Sequence, residues 1–155
     1  MTDAHATEKL RSQVEGQRFA MLTTTSTGGK LVSRPMTVQE FEGWVLRFIA
    51  QDDNEVTQES EGQQVNLAFI DGGSYVSLSG TGVVSRDVEK KRELWNRINE
   101  AYADDPDDPN NVILEIHVDS GEYWDSGSRV AQLVGLAKTL VTGERPGGDH
   151  GVADV

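Results

Sequence analysis

Arg34 stands in the stretch Leu31-Val32-Ser33-Arg34-Pro35-Met36-Thr37-Val38. Strand alternation puts Val32, Arg34, Met36 and Val38 on one face and Leu31, Ser33, Pro35 and Thr37 on the other. A guanidinium among apolar neighbours needs an anionic partner. Two kinds suit it: a carboxylate, giving an ion pair at the rim of a sheet, or a ligand that carries an anion such as phosphate or an electron-rich ring. Pro35 has no N–H to give to a ladder, so the sheet is expected to have an edge or an opening here.

Other reactive residue types are present without the spacing that chemistry needs. His5, His117 and His150 stand at no metal-ligand spacing from one another or from a suitable carboxylate pair, and no metal site is expected. Glycine-rich phosphate loops and a nucleophile elbow are absent, and Gly28-Gly29 reads as a hairpin turn. The acidic run Asp104 to Asp108, flanked and broken by Pro106 and Pro109, reads as a solvated linker rather than a calcium loop. No residue is assigned a catalytic role.

The chain has 155 residues, the size of one domain. It contains no cysteine, so disulfides and thiolate chemistry are excluded and a reducing cytoplasmic setting is expected. Its formal charge of −12 opposes contact with nucleic-acid phosphates, and no apolar run of membrane-spanning length is found. Neither nucleic acid nor membrane is expected as a partner.

The elements that must position Arg34 follow from periodicity. Ala4 to Val14 predicts an amphipathic helix ended by Gly16, with Leu10 and Val14 on its apolar side. Strands are predicted over Phe19–Thr25, Leu31–Phe41 and Trp44–Ile49, three consecutive strands forming an antiparallel meander, then over Val65–Ile70 and Tyr75–Val84. Gly80 and Gly82 on one face of the last suggest a bend or a close backbone approach. Asp87 to Tyr102 predicts one helix with Leu94, Ile98 and Tyr102 on its stripe, Val112 to Val118 a sixth strand, and Val130 to Thr142 a final helix. Gln51 to Gln64 reads as a polar connection. Residues 1–145 form the expected domain and 146–155 a flexible tail. The expectation is a mainly β chain with α: a six-stranded antiparallel barrel with flanking helices.

The order of short motifs then resembles a known family. Phe19-Ala20-Met21-Leu22-Thr23-Thr24, Ser33-Arg34-Pro35-Met36, Arg47-Phe48-Ile49-Ala50, Val65-Asn66-Leu67-Ala68-Phe69, Tyr75-Val76-Ser77-Leu78-Ser79-Gly80-Thr81, Glu93-Leu94-Trp95, Asp107-Asp108-Pro109, Glu122-Tyr123-Trp124-Asp125 and Lys138-Thr139-Leu140-Val141-Thr142-Gly143 are similar to the general-stress-protein branch of the pyridoxamine 5'-phosphate oxidase-like superfamily. The resemblance covers nearly the whole chain. It implies an FMN-binding split barrel, a homodimer and flavin sites between the subunits. It places Ser33, Arg34, Pro35 and Met36 beside the flavin, with Arg34 toward the phosphate or the polar edge of the ring. Phe48, Ile49, Ala50, Asn54 and Val56 line the loop that runs past the ribityl phosphate, and Trp124 closes the site from the partner subunit or serves as an interface anchor. Related flavin proteins commonly carry a Lys or Arg in that loop, whereas Gln51-Asp52-Asp53-Asn54-Glu55-Val56 has none. The residues after Gly143 lack the arginine-bearing segment of true oxidases, so vitamin B6 oxidation is not expected. The resemblance thus implies flavin-dependent redox activity with a nicotinamide or small electron acceptor. The alternatives are a non-catalytic flavin carrier and an apo interaction protein.

Overall fold

In the computed structural model, which describes residues 4–102, 105–127, 129–143 and 148–155, five helices and eight strands alternate along the chain. Helix α1 (Ala4–Val14) is followed by β1 (Phe19–Thr25), β2 (Leu31–Thr37), β3 (Glu40–Glu42), β4 (Val45–Gln51), α2 (Glu55–Ser60), β5 (Gln64–Asp71) and β6 (Ser74–Ser85). Then come α3 (Val88–Leu94), α4 (Arg97–Tyr102), β7 (Asn111–Asp125), α5 (Arg129–Thr142) and β8 (Asp149–Asp154). The strands form one curled antiparallel sheet, a split barrel, in the order β2-β1-β5-β6-β7-β4-β3, with β8 also paired to β7.

Leu22, Leu46, Phe48, Leu67, Leu78, Leu114 and Ile116 fill its inside and are fully buried, each on the inward register of its strand. Helix α1 closes one side with Leu10 and Val14, the pair that its spacing predicts, and with Ala6 one turn earlier. Leu10 lies so close to Gly121 that a Cβ there would stand 2.5 Å from its Cδ2.

The expected three-strand meander is not what forms. The stretch read as one strand from Leu31 to Phe41 divides into β2 and β3 because successive residues bond to opposite partners: Val38 N–H donates to the Arg18 carbonyl at 2.8 Å and Gln39 N–H to the Arg47 carbonyl at 2.9 Å. Thus β2 pairs only with β1, as an edge strand, and β4 crosses the barrel to pair with β7 from Val45↔His117 to Gln51↔Asn111. Pro35, partner of Met21, lies on that edge, as its missing donor requires. Arg47 clips β4 to both neighbours: its guanidinium donates to Glu115 and to Glu40 at 2.6 Å each. Burial pushes the Glu115 carboxyl up, but hydrogen bonds from His117 and Arg47 outweigh it and hold the group below its ordinary range.

Three further expectations are corrected. The polar connection from Gln51 to Gln64 contains α2, whose end lies on β6 where Gly62 N–H and the Gly82 carbonyl meet at 2.8 Å. A Cβ at Gly82 would collide with the Ser60 carbonyl, so the glycine is a close backbone approach, while the neighbouring bulge falls between Ser79 and Gly80. The helix expected over Asp87–Tyr102 breaks at Trp95-Asn96, because the Asn96 Oδ1 accepts from Asn99 N–H at 3.1 Å and caps a new helix, α4. The side chains of Ile98 and Tyr102, expected on its stripe, lie outside the described residues.

The end of the chain is the third. Asp149 to Asp154 pairs with Ser120 to Asp125 along the whole of β8, and Ala153 is buried. Gly151 sits where a Cβ would fall 2.5 Å from the Tyr123 ring. The eighth strand and the division of the second raise the count from the six expected.

Two outcomes test this packing. Gly82→Ala should lower the denaturant midpoint by an amount equivalent to about 1–3 kcal/mol, the scale of an overpacked contact that backbone must relieve; an unchanged midpoint would show that α2 moves freely on β6. A chain ending at Gly148 should melt several degrees lower, because it loses the β8 ladder and the cover over Tyr123. Equal melting temperatures would restore the loose-tail expectation.

Candidate functional site

Because β2 is an edge and β4 turns to β7, the two strands approach without exchanging backbone hydrogen bonds. The gap between them is a cavity of about 420 Å³, lined by Pro35, Met36 and Thr37 of β2, Ile49, Ala50 and Gln51 of β4, Asn54 and Val56 at the start of α2, and Gln39, Asn99 and Asn111. Apolar side chains form its walls and carboxamides its margin. None of these residues carries a charge.

The amides are held in two ways. Asn99 and Gln39 exchange hydrogen bonds through their side chains at 3.2 Å in each direction, and Asn99 Nδ2 also donates to the Leu94 carbonyl at 3.1 Å. Asn111 Nδ2 donates to the Asp105 carbonyl at 2.7 Å. Behind Asn111 stands Lys91, 2% exposed, whose ammonium donates to the Asn111 carbonyl at 2.7 Å and the Asp108 carbonyl at 3.2 Å. A buried charge satisfied by carbonyl dipoles fixes this wall of the cavity. Gln51 and Asn54 differ: their backbones bond to each other at 3.1 Å, Asn54 N–H to Gln51 carbonyl, and the Asn54 side chain does not cap the helix that it precedes. Both residues line the cavity, and neither side-chain amide has a hydrogen-bond partner among the described residues.

Of the residues expected at a site, the structure brings Pro35, Met36, Ile49, Ala50, Asn54 and Val56 together here. Phe48, on the same face of β4 as Ala50 but deeper in the barrel, is fully buried in the core and does not line the cavity. Ser33 is exposed, its Oγ 2.6 Å from Thr23 Oγ1 across the β1–β2 ladder. Trp124 is far along β7 from Asn111, roughly 40 Å of strand at about 3.3 Å per residue, and its exposed ring stacks on His150 at 5.4 Å. Arg34 adopts the rim ion pair. Its guanidinium donates to Glu59 at 3.2 Å and to Thr24 Oγ1 at 2.9 Å, with Glu55 at 3.9 Å. Thr24 Oγ1 donates in turn to Glu59 at 2.8 Å, closing a triangle. Arg86, the neighbouring cation, pairs with Asp52 at 2.8 Å; its hydrogen bond holds that carboxyl below the ordinary range.

Gln39, Gln51, Asn99 and Asn111 were not singled out from the sequence. Amides are common at strand ends and helix caps, and only the crossing of β4 gathers these four. Gln39, at the break in an otherwise regular strand pattern, carried the one usable signal.

The comparisons with known proteins agree with this architecture. Residues 5–147 match the sequence model of a family described as pyridoxamine 5'-phosphate oxidase like. General stress protein 26 of Bacillus subtilis (strain 168) is 33% identical over 58 residues, 37% of this chain and 41% of that protein, so the match spans less than half of the relative. A solved structure assigned as general stress protein 26 from Jannaschia sp. CCS1 superposes with a TM-score of 0.81 at 25% identity, covering 99% of this chain and 100% of that one. The general stress FMN/FAD binding protein of Xanthomonas citri gives a TM-score of 0.68 at 25% identity, over 81% of this chain and 92% of its own. The chain belongs to the pyridoxamine 5'-phosphate oxidase like family, in its general-stress-protein branch.

Proposed function

We propose that the chain binds a flavin, with the ring system in the cavity between β2 and β4. The observation that carries this reading is the lining: Met36, Ile49, Ala50 and Val56 offer apolar surface to a planar ring, and the unpartnered amides of Gln51 and Asn54 offer donors and acceptors to its polar edge. The volume falls within the range of about 300–1,000 Å³ usual for small-molecule sites. Related structures that include an FMN/FAD binding protein support it. FMN is the flavin that the resemblance names, and its ring fits. Its phosphate does not, since among the described residues no cation lines the cavity, and Arg34 and Arg86 are already paired.

A bound flavin would supply redox chemistry, and this chain's residues would hold and orient its ring. No lining residue titrates near neutral pH, so none is placed to move a proton. That absence among the described lining residues favours a second reading, a flavin carrier without turnover. A nicotinamide-driven reduction assay separates the two: turnover above that of free flavin supports the oxidoreductase, and none supports the carrier.

The homodimer belongs to the same proposal. Phe19, Leu31, Ile70 and Trp124 are exposed on the sheet, and α5 presents Leu133, Val134, Leu136, Leu140 and Val141 to solvent. Apolar area of this extent on one chain calls for cover, and a second copy is the occupant that the family resemblance supplies.

Two results test the proposal. Gln51→Ala and Asn54→Ala should each weaken flavin binding, read by quenching of flavin fluorescence, by roughly 1 kcal/mol or about fivefold with the melting temperature preserved; unaltered titrations for both would remove the ring from this cavity. Sedimentation equilibrium at micromolar concentration should give a dimer, and a monomer throughout would refute that part.

A further inference from the structure

We infer that this site selects a flavin whose side chain ends without charge, so that riboflavin binds more tightly than FMN, and that Glu59 sets the selection by holding Arg34. The inference rests on the placement of the ring in the cavity between β2 and β4. It concerns what lies at the cavity's α2 end. Arg34 is two residues from Met36 on the same face of β2, so its Cα lies about 7 Å of strand from the lining; its partners Glu55 and Glu59 line the adjoining cavity, with Thr25, Ser26, Thr27, Gln58 and Gln63, on the other face of α2.

A phosphate reaching that end would need the guanidinium, which is engaged. Glu59 is 10% exposed and bonds to both Arg34 and Thr24, so freeing Arg34 would strand a nearly buried carboxylate. Thr24, 1% exposed, takes a further donor of the same guanidinium. Arg86, which lies beyond α2 in sequence, is held by Asp52. From Gln51 to Glu61 the chain carries Asp52, Asp53, Glu55, Glu59 and Glu61 and no lysine or arginine, so a dianion meets net repulsion on arrival. A ribityl chain ending in a hydroxyl meets none of these penalties, and its hydroxyl groups suit the carboxamide margin of Gln51 and Asn54.

The test is a pair of fluorescence titrations with riboflavin and FMN, on the wild type and on Glu59→Gln and Glu55→Gln, at low and high salt. At low salt riboflavin should bind the wild type at least tenfold more tightly than FMN, and added salt should narrow the gap. Glu59→Gln releases the guanidinium and should raise FMN affinity relative to riboflavin about tenfold. Glu55→Gln, at an 85% exposed side chain that folding does not need, should shift the ratio the same way by less. FMN binding as tightly as riboflavin to the wild type would overturn the inference and leave the flavin reading standing. An unchanged ratio in both variants would remove the role of the α2 carboxylates. Binding of neither flavin would overturn the inference together with the placement of the ring.

Discussion

The feature on which the molecule turns is a pairing that is not made. β2 and β4 come side by side, yet β2 bonds only to β1 and β4 bonds to β3 and β7. Backbone donors and acceptors left out of a ladder must find other partners, so two facing edges are stable only where something polar or a solvated space lies between them. Here the space is the cavity with its margin of carboxamides. Pro35 contributes by lacking a donor, and the switch between Val38 and Gln39 sends the chain across before a ladder to β4 can form.

What the sequence disclosed follows from how local each signal is. The stripe of α1, the hairpin of β1 and β2 and the edge at Pro35 depend on neighbours a few residues away, and all were legible. The close approach at Gly82 was legible too, since a glycine at regular alternation in a strand has few other meanings. β8 was not: its one buried apolar side chain is Ala153, and its Gly151 answers to the ring of Tyr123, which only the fold brings near. The break of the expected helix at Asn96 illustrates the competition directly. Residues on either side favour helix, but an asparagine side chain that caps the following turn wins over continuation.

The candidate site divides along the same line. Met36, Ile49, Ala50 and Val56 were named by the family resemblance alone, and they line this cavity. Its polar residues could not be read from the sequence, since Asn99 and Asn111 are held by Leu94, Asp105 and Lys91, from α3 and the connection to β7, and Gln39 is held by Asn99 in turn. The partner of Arg34 likewise depended on α2, a helix hidden in a polar stretch with no apolar rhythm. Several charges fasten elements in pairs: Arg47 across β3, β4 and β7, Lys9 to Asp125, and Arg92 to Asp107.

β7 has a place in time as well as in space. It is the strand to which β4, β6 and β8 all bond, with Val45 waiting for His117 and Ser74 for Asp125. A ribosome therefore releases the β3–β4 hairpin long before its partner exists, with Leu46 and Phe48 uncovered and one edge open. During that interval the nascent chain depends on delay and on its acidic neighbours, Asp52, Asp53 and Glu55, to repel other copies. The carboxylates that follow β4 thus stand beside an unfinished sheet edge before they stand beside a finished one.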